Sequence, residues 1–311
     1  MKLSIVIPVY NEKDNIKITI EELLSVVRST PGIDKLQMIL VDDHSSDNTF
    51  DIVSRISHPE ISCLRLSRRC GSHSAIRAGL RDADGDVVLS LSADGQDDPA
   101  ALKDMLDKWH NGARVVWALR RSRHGEPWYI RKPAQVFYSL LMWLGGAGGT
   151  GIDISRANFC LLDKIVVNAI NKCQERNTSL FGLIVWLGFN QDFVEYQRRM
   201  RRFGKSKWNF RSQLRLARDW VVAFSGLPLT LILVIGFFVT ITGLLYVLYL
   251  AISFIQGRAI QSPSVILASI FFLGGIQMIM LGIIGEYLWN NLDEARHRPL
   301  FFIEKRSDKH D

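Results

Sequence analysis

In the N-terminal third of the chain, three short apolar runs stop abruptly at carboxylates and amides. No other feature restricts the fold as much. Residues 3–9 empty into Tyr10-Asn11-Glu12, residues 38–41 into Asp42-Asp43, and residues 87–91 into Ser92-Ala-Asp94-Gly-Gln96-Asp97-Asp98-Pro99. Each run is rich in Val, Ile and Leu, too short for a helix, and bounded by turn residues, as buried strands are. Helical patterns lie between them. Asp14 or Asn15 is placed to cap a helix reaching about Arg28, with Ile16, Ile20, Leu23, Leu24 and Val27 on one face. Asp47 or Thr49 caps a second, 63–66 reads as a further strand, and 74–80 as a short helix. This alternation predicts an α/β fold with a doubly wound, mostly parallel sheet.

In such a sheet the three polar loops share one edge and converge on one crevice. Carboxylates gathered there repel one another unless a cation or a set of donors relieves them. Asp94 and Gln96 offer hard oxygen ligands suited to Mg²⁺ or Mn²⁺ carrying a nucleotide diphosphate. The chain contains neither Gly-x-Gly-x-x-Gly nor Gly-x-x-x-x-Gly-Lys-Ser/Thr, so two common phosphate cradles are excluded.

The C-terminal part has a different character. Residues 210–224 alternate Arg211, Arg215 and Arg218 with Phe210, Leu214, Trp220, Val221 and Phe224, the pattern of an amphipathic helix lying in a membrane interface. Residues 229–255 and 263–285 then form uncharged runs of 27 and 23 residues, each meeting the roughly 20 needed to cross a bilayer. Only Arg258 lies in the link, whereas arginines and lysines flank the pair on both outer sides. The positive-inside rule therefore puts both flanks in the cytosol. Gly274, Gly275 and Gly282 permit close helix packing or oligomer contacts. The expected organisation is a cytosolic domain over 1–208, an interfacial helix over 209–226, a two-helix transmembrane hairpin within 227–289 and a basic cytosolic tail over 290–311. The opening residues carry no signal-peptide pattern. Four scattered cysteines without a Cys-x-x-Cys pair argue against zinc or disulfide frameworks. A net charge of +7 suits a phosphate-bearing substrate or an anionic membrane. The basic residues flank the apolar runs rather than interleaving with aromatics on one face, which disfavours nucleic acid as a partner.

The segments 5–12 (Ile-Val-Ile-Pro-Val-Tyr-Asn-Glu), 41–49 (Val-Asp-Asp-His-Ser-Ser-Asp-Asn-Thr) and 92–99 (Ser-Ala-Asp-Gly-Gln-Asp-Asp-Pro) resemble, in order and spacing, the signatures of inverting A-type glycosyltransferases. Among these the chain is similar to the polyprenyl-phosphate glycosyltransferases, the group of dolichol-phosphate mannose synthase and the bactoprenol glucosyltransferases. The likeness continues through Glu175-Arg-Asn, Trp186-Leu-Gly-Phe, Arg201-Arg-Phe-Gly-Lys-Ser-Lys and the C-terminal Gly285-Glu-Tyr-Leu. It implies that Pro8, Tyr10, Glu12, Asp42, Asp43 and Gly71 line the nucleoside pocket, and that Asp94 and Gln96 hold Mg²⁺ or Mn²⁺. Arg120, Arg131, Arg201, Ser206 and Lys207 would manage phosphates. The family often has an Asp where Ser92 stands, and commonly an Asp, a candidate catalytic base, where this chain has Asn158. An amide takes up no proton at ordinary pH, which leaves Asp153 and Asp97 as substitutes.

The resemblance implies a multi-pass inner-membrane enzyme with its catalytic domain in the cytosol. It would move a sugar from a nucleotide donor, UDP-glucose or similar, to polyprenyl phosphate. Two other readings fit parts of the sequence. One is a polysaccharide-building transferase, although no Gln-x-x-Arg-Trp motif occurs. The other is a catalytically weak membrane scaffold or subunit that binds nucleotide sugar.

Overall fold

The computed structural model describes residues 1–56, 58–121, 156–173, 175, 179–199, scattered positions between 234 and 256, 263–296 and 298–307. An eight-stranded mixed sheet organises them. Its strands are β1 (Lys2–Val9), β2 (Lys35–Asp42), β3 (Ile61–Leu66), β4 (Val87–Ser90), β5 (Val115–Arg120), β6 (Ala157–Asp163), β7 (Gln191–Tyr196) and β8 (Ile303–Ser307). Their spatial order is β7-β5-β6-β4-β1-β2-β3-β8. The pairs β1–β2, β1–β4, β2–β3 and β5–β7 are parallel. Two strands run the other way: β6, between β4 and β5, and β8, against β3.

Alternation along the strands separates two cores. Leu3, Ile5, Ile7 and Val9 face the side covered by α1 (Ile16–Ser29), α2 (Thr49–Ser54) and α4 (Ala101–His110). Val6, Ile39, Val41, Leu64 and Leu66 face α3 (Ser72–Asp82), α5 (Lys164–Lys172) and α6 (Leu180–Trp186). Strands covered on both faces read as continuous apolar runs, which is why β1, β2 and β4 were visible in the sequence. Helix α3 rides close on the sheet at Gly79, where an added Cβ would run into the Val6 side chain and lie 3.2 Å from Val41 Cγ2.

A last helix, α7 (Pro263–Ala295), contains the uncharged run 263–285, and its side chains are described in part. Among the described residues no helix is long and apolar enough to cross a membrane. The transmembrane hairpin is therefore not shown, and most of the run 229–255 and the helix expected at 209–226 lie outside the described residues. The basic C-terminal stretch carries a strand that the sequence reading did not foresee. It holds β8, which completes the sheet beside β3, because Ile303 and the shared ladder bury one edge of a strand that its charges alone would leave in solvent.

Candidate active site

The parallel strands and the reversed β6 bring seven strand ends to one edge. The C-terminal ends of β1, β2, β3, β4, β5 and β7 meet there with the N-terminal end of β6.

The first two loops are stitched together. Ser45 Oγ accepts the Asn11 N–H at 2.9 Å, Asn11 Oδ1 accepts the Ser46 N–H at 2.8 Å, and Thr49 Oγ1 accepts the Glu12 N–H at 3.1 Å. Asn11 and His44 both adopt left-handed backbone, with φ of 52° and 57°, and these hydrogen bonds hold a conformation that costs free energy alone. Asn15 begins α1, but its side chain donates to Glu12 Oε2 at 2.6 Å instead of capping the helix.

Asp42 and Asp43 have separate tasks. Asp42, 2% exposed, accepts the Ser45 N–H at 3.1 Å and pairs with Arg65 Nη1 at 3.4 Å. Asp43, 4% exposed, accepts from the backbone N–H of Cys70 at 2.6 Å and of Gly71 at 2.9 Å. It thereby pins the β3–α3 loop across the crevice, and Gly71 supplies the φ of 92° that the loop requires. Burial pushes both carboxyls above their usual range, against the pull of these donors. Arg69 stacks on the Tyr10 ring at 4.2 Å from its centroid. Tyr10, Glu12, Asp42, Asp43 and Gly71 thus come together, with Pro8 just inside on β1 paired with Val41.

The loop after β4 is organised from beneath by Asp97, which is buried. Its Oδ2 accepts from Ser92 N at 2.9 Å and its Oδ1 from Tyr196 Oη at 3.0 Å. Tyr196 Oη in turn accepts from Asn158 Nδ2 at 2.8 Å, and that nitrogen lies 3.5 Å from Asp97 Oδ1. Ser92 Oγ stands 2.6 Å from Asp97 Oδ2 and 2.8 Å from Asp94 Oδ1, so one hydroxyl proton is shared between two carboxylates. Burial first, and the Asp94 charge besides, push the Asp97 carboxyl up despite its donors.

Asp94 is half-buried at the mouth of this loop, where it also accepts the Gln96 N–H at 3.1 Å. Gln96 Oε1 accepts from Arg198 Nη2 at 2.7 Å, and Arg199 N–H donates to the Gln96 carbonyl at 3.0 Å. Arg199 also joins Asp98 at 2.8 Å and Glu22 on α1. Among the described residues, no group of three or more acidic, His or Cys side chains gathers in metal-binding geometry. A carboxylate and an amide oxygen on one loop still fit a hard divalent ion that completes its shell with diphosphate oxygens and water.

Arg120 ends β5 at the same edge, where its carbonyl accepts from Arg156 Nε at 2.9 Å. Arg131, Asp153, Arg201, Ser206 and Lys207 lie outside the described residues. Tyr196, Arg65, Arg198 and Arg199 went unnoticed in the sequence. Tyr196 ends β7, whose alternation is weak, Arg198 and Arg199 follow it in a loop, and nothing local marks which partner each cation meets.

Comparison with known proteins follows from this geometry. The family model for glycosyl transferase family 2 matches residues 4–159. An uncharacterized glycosyltransferase of Synechocystis sp. is 37% identical over 306 residues, covering 97% of this chain and 95% of its own. The bactoprenol glucosyl transferase of Shigella phage SfV is 32% identical over 312 residues, covering 99% and 100%. Among solved structures, mannosyl-3-phosphoglycerate synthase from Rubrobacter xylanophilus superposes with a TM-score of 0.50 at 19% identity, over 71% of this chain and 72% of that one. The last likeness concerns the fold alone, the A-type glycosyltransferase sheet.

Proposed function

Since the chain belongs to glycosyl transferase family 2, we propose that it moves a sugar from a UDP-linked donor to the phosphate of a polyprenyl phosphate, with inversion, at the cytosolic face of a membrane. The observation that carries this reading is the division of the crevice edge. The stitched β1 and β2 loops and the Asp43-pinned loop form one half, and Asp94, Gln96, Asn158 and Arg120 form the other. The first half suits a nucleoside, with Tyr10 for the base and Glu12, Asp42 and Asp43 shaping the ribose wall. Asp94 and Gln96 would hold the divalent ion, which when bound supplies positive charge to the donor diphosphate. Arg120, with Arg131, Arg201, Ser206 and Lys207, would meet the phosphates of donor and acceptor.

The acceptor chemistry is compatible with an amide at position 158. A phosphate monoester is already ionised near neutral pH, its second pKa being about 6, so attack on the anomeric carbon needs placement rather than a base. Buried Asp97 receives donors on both oxygens, which suits it to hold the loop rather than to collect a proton. The lipid acceptor is supported by the phage relative, whose name specifies bactoprenol and which matches end to end.

Membrane anchorage rests on two observations. Large apolar side chains stand in solvent along α7, among them Ile266, Ile270, Met278, Ile279, Leu281 and Trp289, and such a surface needs lipid or protein against it. In addition, β8 pairs with β3, so both ends of the apolar region lie on one side. Any crossing must then be matched by a second, as a hairpin provides.

The test uses the full chain in detergent with Mg²⁺ or Mn²⁺, undecaprenyl phosphate and a panel of UDP- and GDP-sugars, with lipid-linked sugar detected by mass. The expected result is one donor giving a product that Asp94→Ala abolishes. Nucleotide-sugar binding without turnover across the panel would overturn the transferase reading in favour of a scaffold, and a polymeric product would favour the polysaccharide-building alternative.

A further inference from the structure

Strand β8 brings its charges to the wall of the nucleotide half of the crevice. Lys305 stands opposite Arg65 in the β3–β8 ladder. The Arg65 side chain is 19% exposed, and its guanidinium divides its contacts three ways. Nη1 lies 3.4 Å from Asp42 Oδ2, Nη2 donates to the Ser45 carbonyl at 3.3 Å, and Nε donates to Glu304 Oε2 at 3.3 Å. The same Arg65 group lies over the Phe50 ring of α2 at 5.2 Å, and Lys305 Nζ reaches that ring at 6.0 Å. Glu304 Oε2 is also 3.7 Å from Nδ1 of His44, the residue held at positive φ between Asp43 and Ser45.

Asp42 is a buried carboxylate whose nearest cation is Arg65. Arg65 is aimed by a residue from the far end of the chain. A guanidinium fork keeps its direction only while its donors are occupied, so Glu304 fixes which way Arg65 faces the 42–45 loop. We propose that β8 is a positioning element of the nucleotide pocket, with Glu304 acting through Arg65 on the Asp42–Ser45 loop to set affinity for a uridine diphosphate group. The proposal rests on the nucleotide-sugar reading. It adds that the pocket is complete only when the residues after the apolar helix have docked.

The same strand contains an internal control. Arg306 makes a two-pronged pair with Asp82 at the end of α3, 2.9 Å on each prong, away from the Asp42 loop. Calorimetric titration of UDP with Mg²⁺ into the full chain in detergent, alongside thermal unfolding, separates local positioning from docking of the strand. Glu304→Ala is expected to raise the Kd for UDP about two- to fourfold, the scale of a partly exposed ion pair. Glu304→Asp, which keeps the charge, should recover part of the loss. Arg306→Ala should lower the unfolding temperature about as much as Glu304→Ala and leave the Kd unchanged. Unchanged affinity in Glu304→Ala, or an equal loss in both variants, would overturn the proposal while leaving the nucleotide-sugar reading intact. Failure of the wild-type chain to bind UDP would overturn that reading and the proposal with it.

Discussion

Placing a carboxylate at position 158 tests how the loop after β4 is held. Asn158 Nδ2 sits 2.8 Å from Tyr196 Oη and 3.5 Å from Asp97 Oδ1. In Asn158→Asp the donor to Tyr196 disappears and a second carboxylate faces the buried Asp97. At 3.5 Å and an effective dielectric of about 20, two unit charges repel by about 5 kcal/mol. Where Asp97 is ionised, that energy raises the folded-state pKa of the introduced group well above its unfolded value. The folded pKa then lies above the unfolded value of about 3.9, so the destabilisation is absent below about pH 4. It grows as pH rises and levels off once both carboxyls are ionised. The cost is greatest where both carboxyls would be ionised, about 5 kcal/mol at pH 8, or roughly 10–20 °C in unfolding temperature, and is smaller at pH 5. Thermal unfolding of the full chain in detergent at the two pH values, each against wild type, measures this directly. An equal loss at both, or none at either, would refute the placement of Asn158 against Asp97. A gain in transferase activity would refute the argument that the acceptor needs no base.

Three further outcomes follow from the packing. Gly79→Ala drives a methyl into Val6 beneath α3. Overpacking of this kind costs about 1–3 kcal/mol, so a denaturant midpoint should fall while UDP affinity stays unchanged. His73 stacks on Phe181 with its pKa lowered by burial from 6.5 to about 4. Its neutral form is therefore favoured in the folded chain, and wild type should lose about 2 kcal/mol, after allowance for partial exposure, as pH falls from about 6.5 to about 4. His73→Phe should flatten that part of the stability profile. Burial pushes the thiols of Cys63 and Cys160 up to about 12, so iodoacetamide at pH 7.5 should leave both unmodified in the native chain and label them once it is denatured, as peptide mass spectrometry would show.

The half of the site built from β1 to β4 was legible in the sequence because two-sided burial writes uninterrupted apolar runs, and polar residues mark where each one stops. Asp43 was placed in the pocket, but its backbone clamp on Cys70 and Gly71 depends on a loop that no local pattern predicts. The reversed β6 and edge strands β7 and β8 were not seen as strands. β7 (Gln-Asp-Phe-Val-Glu-Tyr) shows no clean alternation of polar and apolar side chains, and β8 is mostly charged. Tyr196 was invisible for that reason, although it joins Asn158 to Asp97. Ser92 stood out only as a missing carboxylate, whereas in the structure its hydroxyl bridges two that are present.

The reversal of β6 has a consequence for the connection that leads into it. Because β5 and β6 are antiparallel neighbours, with Leu119 opposite Ala157, the points where the chain leaves β5 and enters β6 are adjacent on the crevice edge. A connection with its ends already clamped by a ladder is nearly free to change, since doubling its length adds only about 0.6 kcal/mol of closure entropy. The sheet therefore sets little limit on how long or how short the chain that joins β5 to β6 is, and a change there need not disturb the ladder on either side.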